Sequence, residues 1–456
     1  MSFSKSKRAV FISVFALSSA LCAPASYGEN LLDALKGAYN NNAQLNAARA
    51  SVRAGDQDIA LARSSFMPTV VAGGSYTRGW QHKVSSYADT GALQIQIKQN
   101  LFNGFQSYNN VEAAKANAAA QRQSLCNTEQ NQLNNAVAAY VNVYISRRIA
   151  KLRQSNLIAL EEQVRANRAR LSVGEGTRTD LAQSEAARSR ALSELSQAKA
   201  DVKMKEAAYR QVVGLEPGAQ LEEPALASDL PKTLEEAYAI AQKSHPAILA
   251  AKYAVEASSY SVRAKQGALL PQFDISASTS YSKNYSLPDS PMNGASSNIG
   301  LQFSMPLFTG GANSAQIRKS KELLGNARMQ LDQYEAQVRE SVEGAWASLE
   351  GLRSAVSAFR DSVKAAKVAL NGRIHENRVG QATTLDVLNS RSELITMEVS
   401  LANAERNLVI TSYNLKAAIG QLTAKNLKLD VPLYDSSNSF VAAERQLNGT
   451  KTLDGR

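Results

Sequence analysis

The chain has 456 residues, a formal net charge of +11, 20% charged residues and only 6% aromatic ones. So few aromatics argue against one compact core and favour long helices rich in alanine, glutamine and asparagine. Lys and Arg alternate with Asp and Glu along the prospective helices, the pattern of solvated faces rather than of a basic patch, so nucleic acid is not an expected partner.

Residues 1–28 read as a secretory signal: Lys5, Lys7 and Arg8 form a basic start and residues 9–21 an apolar run. Small residues allow cleavage after Ala25 or Gly28. Cys22 raises a lipoprotein alternative, but Leu21 stands where that pathway needs a small residue. Beyond the signal only Cys126 is left, so no intramolecular disulfide is possible. No later run approaches about 18 consecutive apolar residues, which excludes a membrane-spanning helix. A crossing of the bilayer would have to use strands.

The rest is read as two structural repeats, 29–220 and 233–425, joined by a connector at 221–232 and followed by a polar tail at 426–456. A helical pattern over 31–65 ends at Pro68, and the same pattern from Leu234 ends at Pro271. Ala34, Ala38, Leu45, Val52 and Pro68 align without gaps on Ala237, Ala241, Ile248, Val255 and Pro271, the signature of internal duplication. Past each proline the period changes to two. Val70, Ala72, Gly74, Tyr76 and Trp80 share one face, as do Leu93, Ile95 and Ile97. In the second repeat Phe273, Ile275, Ala277 and Tyr281 share a face, and so do Ile299, Leu301, Phe303 and Met305. These are two strands within 68–102 and two within 271–308, each of about ten residues, the length and alternation of an outer-membrane barrel. Polar loops at 81–91 and 287–297 separate the members of each pair.

Matching turns close the pairs: Leu101-Phe102-Asn103-Gly104, and Leu307-Phe308-Thr309-Gly310. Long helices follow over 105–173 and 311–379, rods of about 100 Å at 1.5 Å per residue. No proline interrupts either of them or the shorter helices over 180–213 and 386–419. The helix before the strands and the helix after the turn together match one long helix in length, which predicts end-to-end stacking. Leu157, Leu160, Val164, Asn167 and Leu171 recur in steps of three and four, as do Val363, Ala366, Leu370, Arg373 and Asn377, predicting left-handed coiled packing. Between long and short helices lie the tips at 174–179 and 380–385. Val173, Gly174, Thr177 and Asp180 of VGEGTRTD are repeated by Val379, Gly380, Thr383 and Asp386 of VGQATTLD. Gly suits a helix C-cap and Thr or Asp the opening of the next helix, so each tip is expected to turn an αα-hairpin. Residues 216–231 carry three prolines and several acids and read as a connector; the segment after Val431 is expected to be partly disordered.

Four strands cannot close a barrel, and open edges in lipid would leave backbone groups unpaired at several kcal/mol each. Several copies must share one barrel: two give a barrel filled by its own side chains, and three are the smallest number to leave an aqueous lumen.

The strand pairs, both Leu-Phe-x-Gly turns, both tips and the start Glu29-Asn30-Leu31 together resemble the TolC family of outer-membrane channel proteins over nearly all of the chain past the signal. The resemblance implies an α+β membrane protein and a homotrimer. Four strands per chain would form a twelve-stranded β-barrel in the outer membrane, continued by a long α-helical coiled-coil barrel through the periplasm. It implies the exit duct of a tripartite efflux or type I secretion system, working with a periplasmic adaptor (membrane fusion protein) and an inner-membrane transporter of RND or ABC type. Carried over residue by residue, Asp386 matches an aspartate lining the constricted entrance and Asp180 one in the gating contacts. Ala382 stands where the family's best-studied type has a gating arginine, and Asn389 where it has a second aspartate, with Arg178 the candidate replacement cation. Val173, Gly174, Thr177, Val379, Gly380 and Thr383 are the candidates for adaptor docking.

An enzyme is the first competing class. His82, His245 and His375 stand in no metal-ligand, triad or phosphate-loop spacing, so no catalysis, cofactor or metal is expected. A structural or adhesive coiled-coil envelope protein is the second; it accounts for the heptads but not for strands placed symmetrically between them.

Overall fold

Each half of the chain runs helix, helix, strand, strand, long helix, helix. A computed structural model describes residues 29–81, 86–286, 293–445, 450 and 452. The first half comprises α1 (Leu31–Asn41), α2 (Ala43–Ser64), β1 (Thr69–Gln81), β2 (Ser86–Asn103), α3 (Gln106–Ser172) and α4 (Arg178–Val213). The second comprises α5 (Leu234–Ser244), α6 (Pro246–Gly267), β3 (Gln272–Asn284), β4 (Gly294–Ser304), α7 (Ala312–Arg378) and α8 (Thr384–Ala418). A last helix, α9 (Ser437–Arg445), follows. The signal expectation lies outside the described residues, as do parts of both polar loops.

The four strands form one antiparallel sheet in the order β1-β2-β3-β4. Its register aligns the alternation of all four strands. Val70 pairs with Ile97, Ile97 with Ala277 and Ala277 with Ile299, while on the other face Val71, Gln96, Ser278 and Asn298 are opposite one another. One face therefore collects the apolar residues of all four strands, interrupted by the Thr279–Ser297 pair and, toward one end, by Arg78 with Asp89, and is largely exposed within the chain, with Ile299 at 78%. The other carries hydroxyls and amides, with Asp274 accepting from Asn100 at 3.0 Å and lying 3.9 Å from the Lys98 ammonium.

A bulge between Asn100 and Phe102 restores Phe102 to the apolar side, where its ring lies 6.4 Å from Phe273 and 5.2 Å from Phe105. The Phe273 ring is 5.1 Å from Phe303. Trp80 meets Tyr87 edge-on at 4.9 Å toward the opposite end of the sheet. Aromatic groups thus mark both ends of the apolar band, as at the two interfaces of a bilayer.

Strand lengths correct the expectation of about ten residues: β1 and β3 have 13, β2 has 18 and β4 has 11. Residues 86–91 and 294–297, read as loop, belong to strands. The two Leu-Phe-x-Gly segments also differ. The first continues β2 to Asn103, because residues 99–103 still pair with 272–275 of β3 after the pairing with β1 has ended at Lys98. In the second, Leu307 and Phe308 are 88% exposed beyond the edge strand, where Pro306 supplies no N–H.

Helices α3 and α7 have 67 residues each, about 100 Å. The segment over 31–65, expected as one helix, breaks at Asn42, whose side chain caps α2 by accepting from Leu45 N at 3.0 Å. Its counterpart breaks at His245, held extended by Pro246. The short helices stack end to end as anticipated. Asn42 Nδ2 donates to Val212 O at 2.9 Å, joining α2 to α4, and Ser244 Oγ donates to Ile419 O at 3.1 Å, joining α5 and α6 to α8. The second joint is so close that a Cβ on Gly420 would stand 2.7 Å from His245 Cα. In cross-section α2 and α4 flank α3 on one side, α6 and α8 flank it on the other, and α7 lies beyond them.

The first predicted stripe is buried at Leu157, Leu160, Val164 and Asn167. The second is corrected to Val342, Leu349, Val356, Val363 and Leu370, a strict heptad, with Arg373 exposed. An exposed arginine is compatible because α7, unlike α3, is covered on one flank only.

The main core lies at mid-height, where α1, the middle of α3, the connector and residues 422–434 pack together. Tyr140 donates to the carbonyls of Glu29 at 2.7 Å and Glu222 at 2.9 Å, tying the connector to the start of the described chain. The tail also departs from expectation, since α9 forms and packs on α2. Its Ser439 donates to Asp56, which is fully buried and paired with Arg122 at 2.7 Å, while the Phe440 ring lies 4.8 Å from the Arg122 guanidinium. A short amphipathic turn with one buried serine and one aromatic was too small a signal to separate from a polar tail. No described helix is long and apolar enough to cross a membrane, and no cluster of metal-ligand type exists among the described residues.

Candidate functional site

The far ends of the two hairpins bring together most of the residues singled out in the sequence. At the first, Gly174 takes φ +82°, its N–H bonds Leu171 O at 3.2 Å and Glu175 N bonds Arg170 O at 2.9 Å. At the second, Gly380 takes φ +79°, with bonds from Gly380 N to Asn377 O at 3.2 Å and from Gln381 N to Glu376 O at 2.8 Å. These are Schellman closures, in which glycine adopts a left-handed conformation that costs other residues about 1 kcal/mol or more.

Each following helix opens on a threonine cap. Asp180 N bonds Thr177 Oγ1 at 3.0 Å, and the Thr177 hydroxyl donates to the Asp180 carboxylate at 2.6 Å. Thr383 and Asp386 form a complete capping box: Asp386 N to Thr383 Oγ1 at 3.2 Å, Thr383 N to the carboxylate at 2.9 Å, and the hydroxyl to the same oxygen at 2.7 Å. The threonine bond is the main reason both carboxyls lie below the usual aspartate range; Asp180 gains further from the Thr384 hydroxyl and the Arg170 charge. Both aspartates are thus ionised at neutral pH and fixed in direction. Val173 and Val379, at 70% and 72% exposure, project beside them.

Contacts between the hairpins involve Arg170 and Thr384, which sequence reading passed over, and Asn377, read there only as part of a packing stripe. Arg170 Nη1 lies 3.5 Å from Asn377 Oδ1, and Asn377 Nδ2 donates to Ala382 O at 2.9 Å. Thr384, buried, reaches Asp180. The cation beside Asp180 is therefore Arg170, one turn before the first tip, while Arg178 stands exposed on the first turn of α4. Only the side-by-side placement of the hairpins selects Arg170, because nothing in the repeat marks it; Glu376 occupies the matching place in the second half. Asn389 lines a groove of about 320 Å³ between α3, α4 and α8, together with Arg153, Arg190 and Arg391. Beneath the first tip the buried Asn167 donates to Ser184 Oγ at 2.5 Å, and Ser184 Oγ to Asp180 O at 2.7 Å, clamping α3 to α4.

Ion pairs lace the two hairpins unequally. Four join α3 to α4: Arg147–Glu206 at 2.7 Å, Arg153–Glu194 at 2.6 Å, Arg188–Glu161 at 3.2 Å and Arg168–Glu185 at 2.7 Å. Between α7 and α8 the described pairs are Arg360–Glu405 and Lys367–Glu398, both at 3.1 Å. His245 caps α6 through Nδ1, and burial lowers its pKa. It stands among no catalytic partners in the described residues. The site is a surface of fixed carboxylates, a bridging cation and two apolar knobs.

The chain matches the family model described as Outer membrane efflux protein over residues 34–215 and 237–421. It is 46% identical to outer membrane efflux protein BepC of Brucella suis over 100% of this chain and 99% of that protein. It is 24% identical to outer membrane protein TolC of Escherichia coli, covering 88% and 84% of the two chains. Among solved structures, the Campylobacter jejuni CmeC outer membrane channel superposes with a TM-score of 0.77 at 15% identity, covering 92% of this chain and 90% of that one.

Proposed function

From the premise that this chain belongs to the outer membrane efflux protein family, we propose that three copies assemble into one duct whose mouth is formed by the paired hairpin tips. The observation that carries this reading is the sheet: a mainly apolar face shared by all four strands, a mainly polar opposite face, and two unpaired edges. Such a sheet satisfies its backbone in lipid only when β4 of one copy pairs with β1 of the next. Three copies give twelve strands and a polar lumen, and the same ring carries the helices about 100 Å away from the membrane. The duct acts as the exit of an efflux or type I secretion system, and in this reading the chain has no enzymatic role.

At the mouth, Asp386 and Asp180 supply the negative potential that favours cations. Arg170, Asn377 and Thr384 hold the hairpins of one copy side by side, while Arg178 and Asn389 flank them. Val173, Gly174, Thr177, Val379, Gly380 and Thr383 form the exposed rim where a coaxial periplasmic adaptor docks, coupling the duct to an RND or ABC transporter. The test is conductance of the purified protein in a planar bilayer. Cation-selective channels are expected, and an absence of any conductance would instead leave a structural envelope protein. Loss of the gene, scored for detergent or antibiotic sensitivity and for secreted proteins, separates efflux from secretion.

A further inference from the structure

The groove between α3, α4 and α8 carries charge that the chain itself does not balance. Three guanidiniums line it, those of Arg153, Arg190 and Arg391, against the single carboxylate of Glu194. Arg153 already holds Glu194 at 2.6 Å. Arg190 and Arg391 form no ion pair or hydrogen bond among the described residues. Arg391 is the more unusual of the two. It is half-buried, and burial alone lowers its pKa, with no carboxylate opposing the shift. Arginine stays protonated all the same, so this charge is stripped of water without being neutralised. Its own helix offers no counter-ion, because the positions three and four residues away are Val387, Leu388, Leu394 and Ile395. Charged side chains seldom leave water unless a partner replaces the lost hydration.

The rest of the lining suits an oxyanion. Asn156 of α3 brings an amide, and Asn389 and Ser392 of α8 bring an amide and a hydroxyl, all able to donate to oxygen. Leu160 and Leu388 supply an apolar wall. A volume of about 320 Å³ exceeds what one tetrahedral ion fills and leaves room for a small substituent.

We propose that this groove binds a phosphate dianion, free or borne on a small monoester, between Arg190 of the first hairpin and Arg391 of the second. Two unopposed guanidiniums call for a ligand of about two negative charges, which phosphate carries above its second ionisation. Their forked N–H groups match its oxygens in pairs, a geometry that a halide cannot use. The bound ion would tie α8 to α4 about 8 Å along the axis from Asp386. It thereby adds a ligand-dependent clamp between the two hairpins of one copy. The site lies within a single chain and does not depend on the assembly proposed above.

Titration calorimetry of the purified protein in detergent, at about pH 8 and low salt, tests the site with inorganic phosphate and phenyl phosphate as probes. Arg391→Gln and Arg190→Gln are each expected to weaken binding by about tenfold or more. Arg190 is exposed, so its replacement tests the site without disturbing the packing. Arg165→Gln, which removes an exposed guanidinium of α3 paired with Glu162, should leave binding unchanged. Tighter binding of phenyl phosphate assigns the monoester, and equal binding assigns the free ion. Hydrogen exchange gives the location, since bound phosphate should slow exchange across residues 385–396. Binding of neither probe, or an equal loss in all three variants, would overturn the proposal. So would binding that leaves exchange over 385–396 as it was.

Discussion

At the scale of single residues, the mouth is built from helix-capping chemistry put to a second use. A threonine cap orients Asp386 and lowers its pKa, so the group that closes a helix is also a fixed charge at the tip. Asp386→Ala is expected to reduce cation selectivity and sensitivity to block by a trivalent cation in a planar bilayer; unchanged block would remove this residue from the pore. The pH dependence has a definite sign. A carboxyl held below its ordinary value stays charged above that value, about 3.9, and its capping contribution is lost as pH falls through the folded value. Block should therefore be flat from neutral pH to about 5 and fade only in stronger acid, whereas a midpoint near pH 6 would point to a different group. Asn167 gives a stability test. Asn167→Leu leaves Ser184 without its donor in a buried place and should cost about 1–3 kcal/mol, read as a lower thermal midpoint.

At the scale of elements, the two hairpins are chemically unequal although they descend from one repeat. Each exposed ion pair contributes little alone, but four rungs along α3 and α4 resist shear between the helices better than the pairs described for α7 and α8. Hydrogen exchange should be slower in the tip half of α3–α4 than in that of α7–α8, with the difference shrinking in high salt as screening weakens the rungs. The C-terminal helix makes a second test. Arg122→Ala would leave Asp56 buried without its cation, a cost of about 3–5 kcal/mol. Release of α9 should appear as protease cleavage near residues 435–445 before the rest of the chain is cut. Repetition was plain in the sequence, whereas this divergence was not, because rungs join residues 17 to 59 positions apart that share no motif.

At the scale of the whole molecule, sheet and rods impose one assembly logic. Both the sheet and the helical layer end in uncovered edges on the same two flanks, so a ring satisfies both at once. The apolar band can be challenged directly. Ile299→Lys puts a charge on the lipid face at a cost of about 2–4 kcal/mol near the midplane, while Asn298→Lys, one residue away on the polar face, should be tolerated. Outer-membrane recovery of the two variants reads out the difference, and equal recovery would contradict the assignment of faces.

The sequence by itself determined the duplication, the change of period from helix to strand, the length match that stacks two short helices on a long one, and the glycine-threonine tips. These are legible because they are local: a period, a proline or a cap is written in neighbouring residues. What only the tertiary structure decided is non-local. It aligned the apolar faces of four strands, bulged β2 so that Phe102 joined Phe273 and Phe303, and set Arg170 rather than Arg178 beside Asp180. It also folded the expected polar tail into α9 over a buried Asp56. Each of these depends on which distant segment packs alongside, and a heptad or an alternation leaves that partner open until the long helices have been laid side by side.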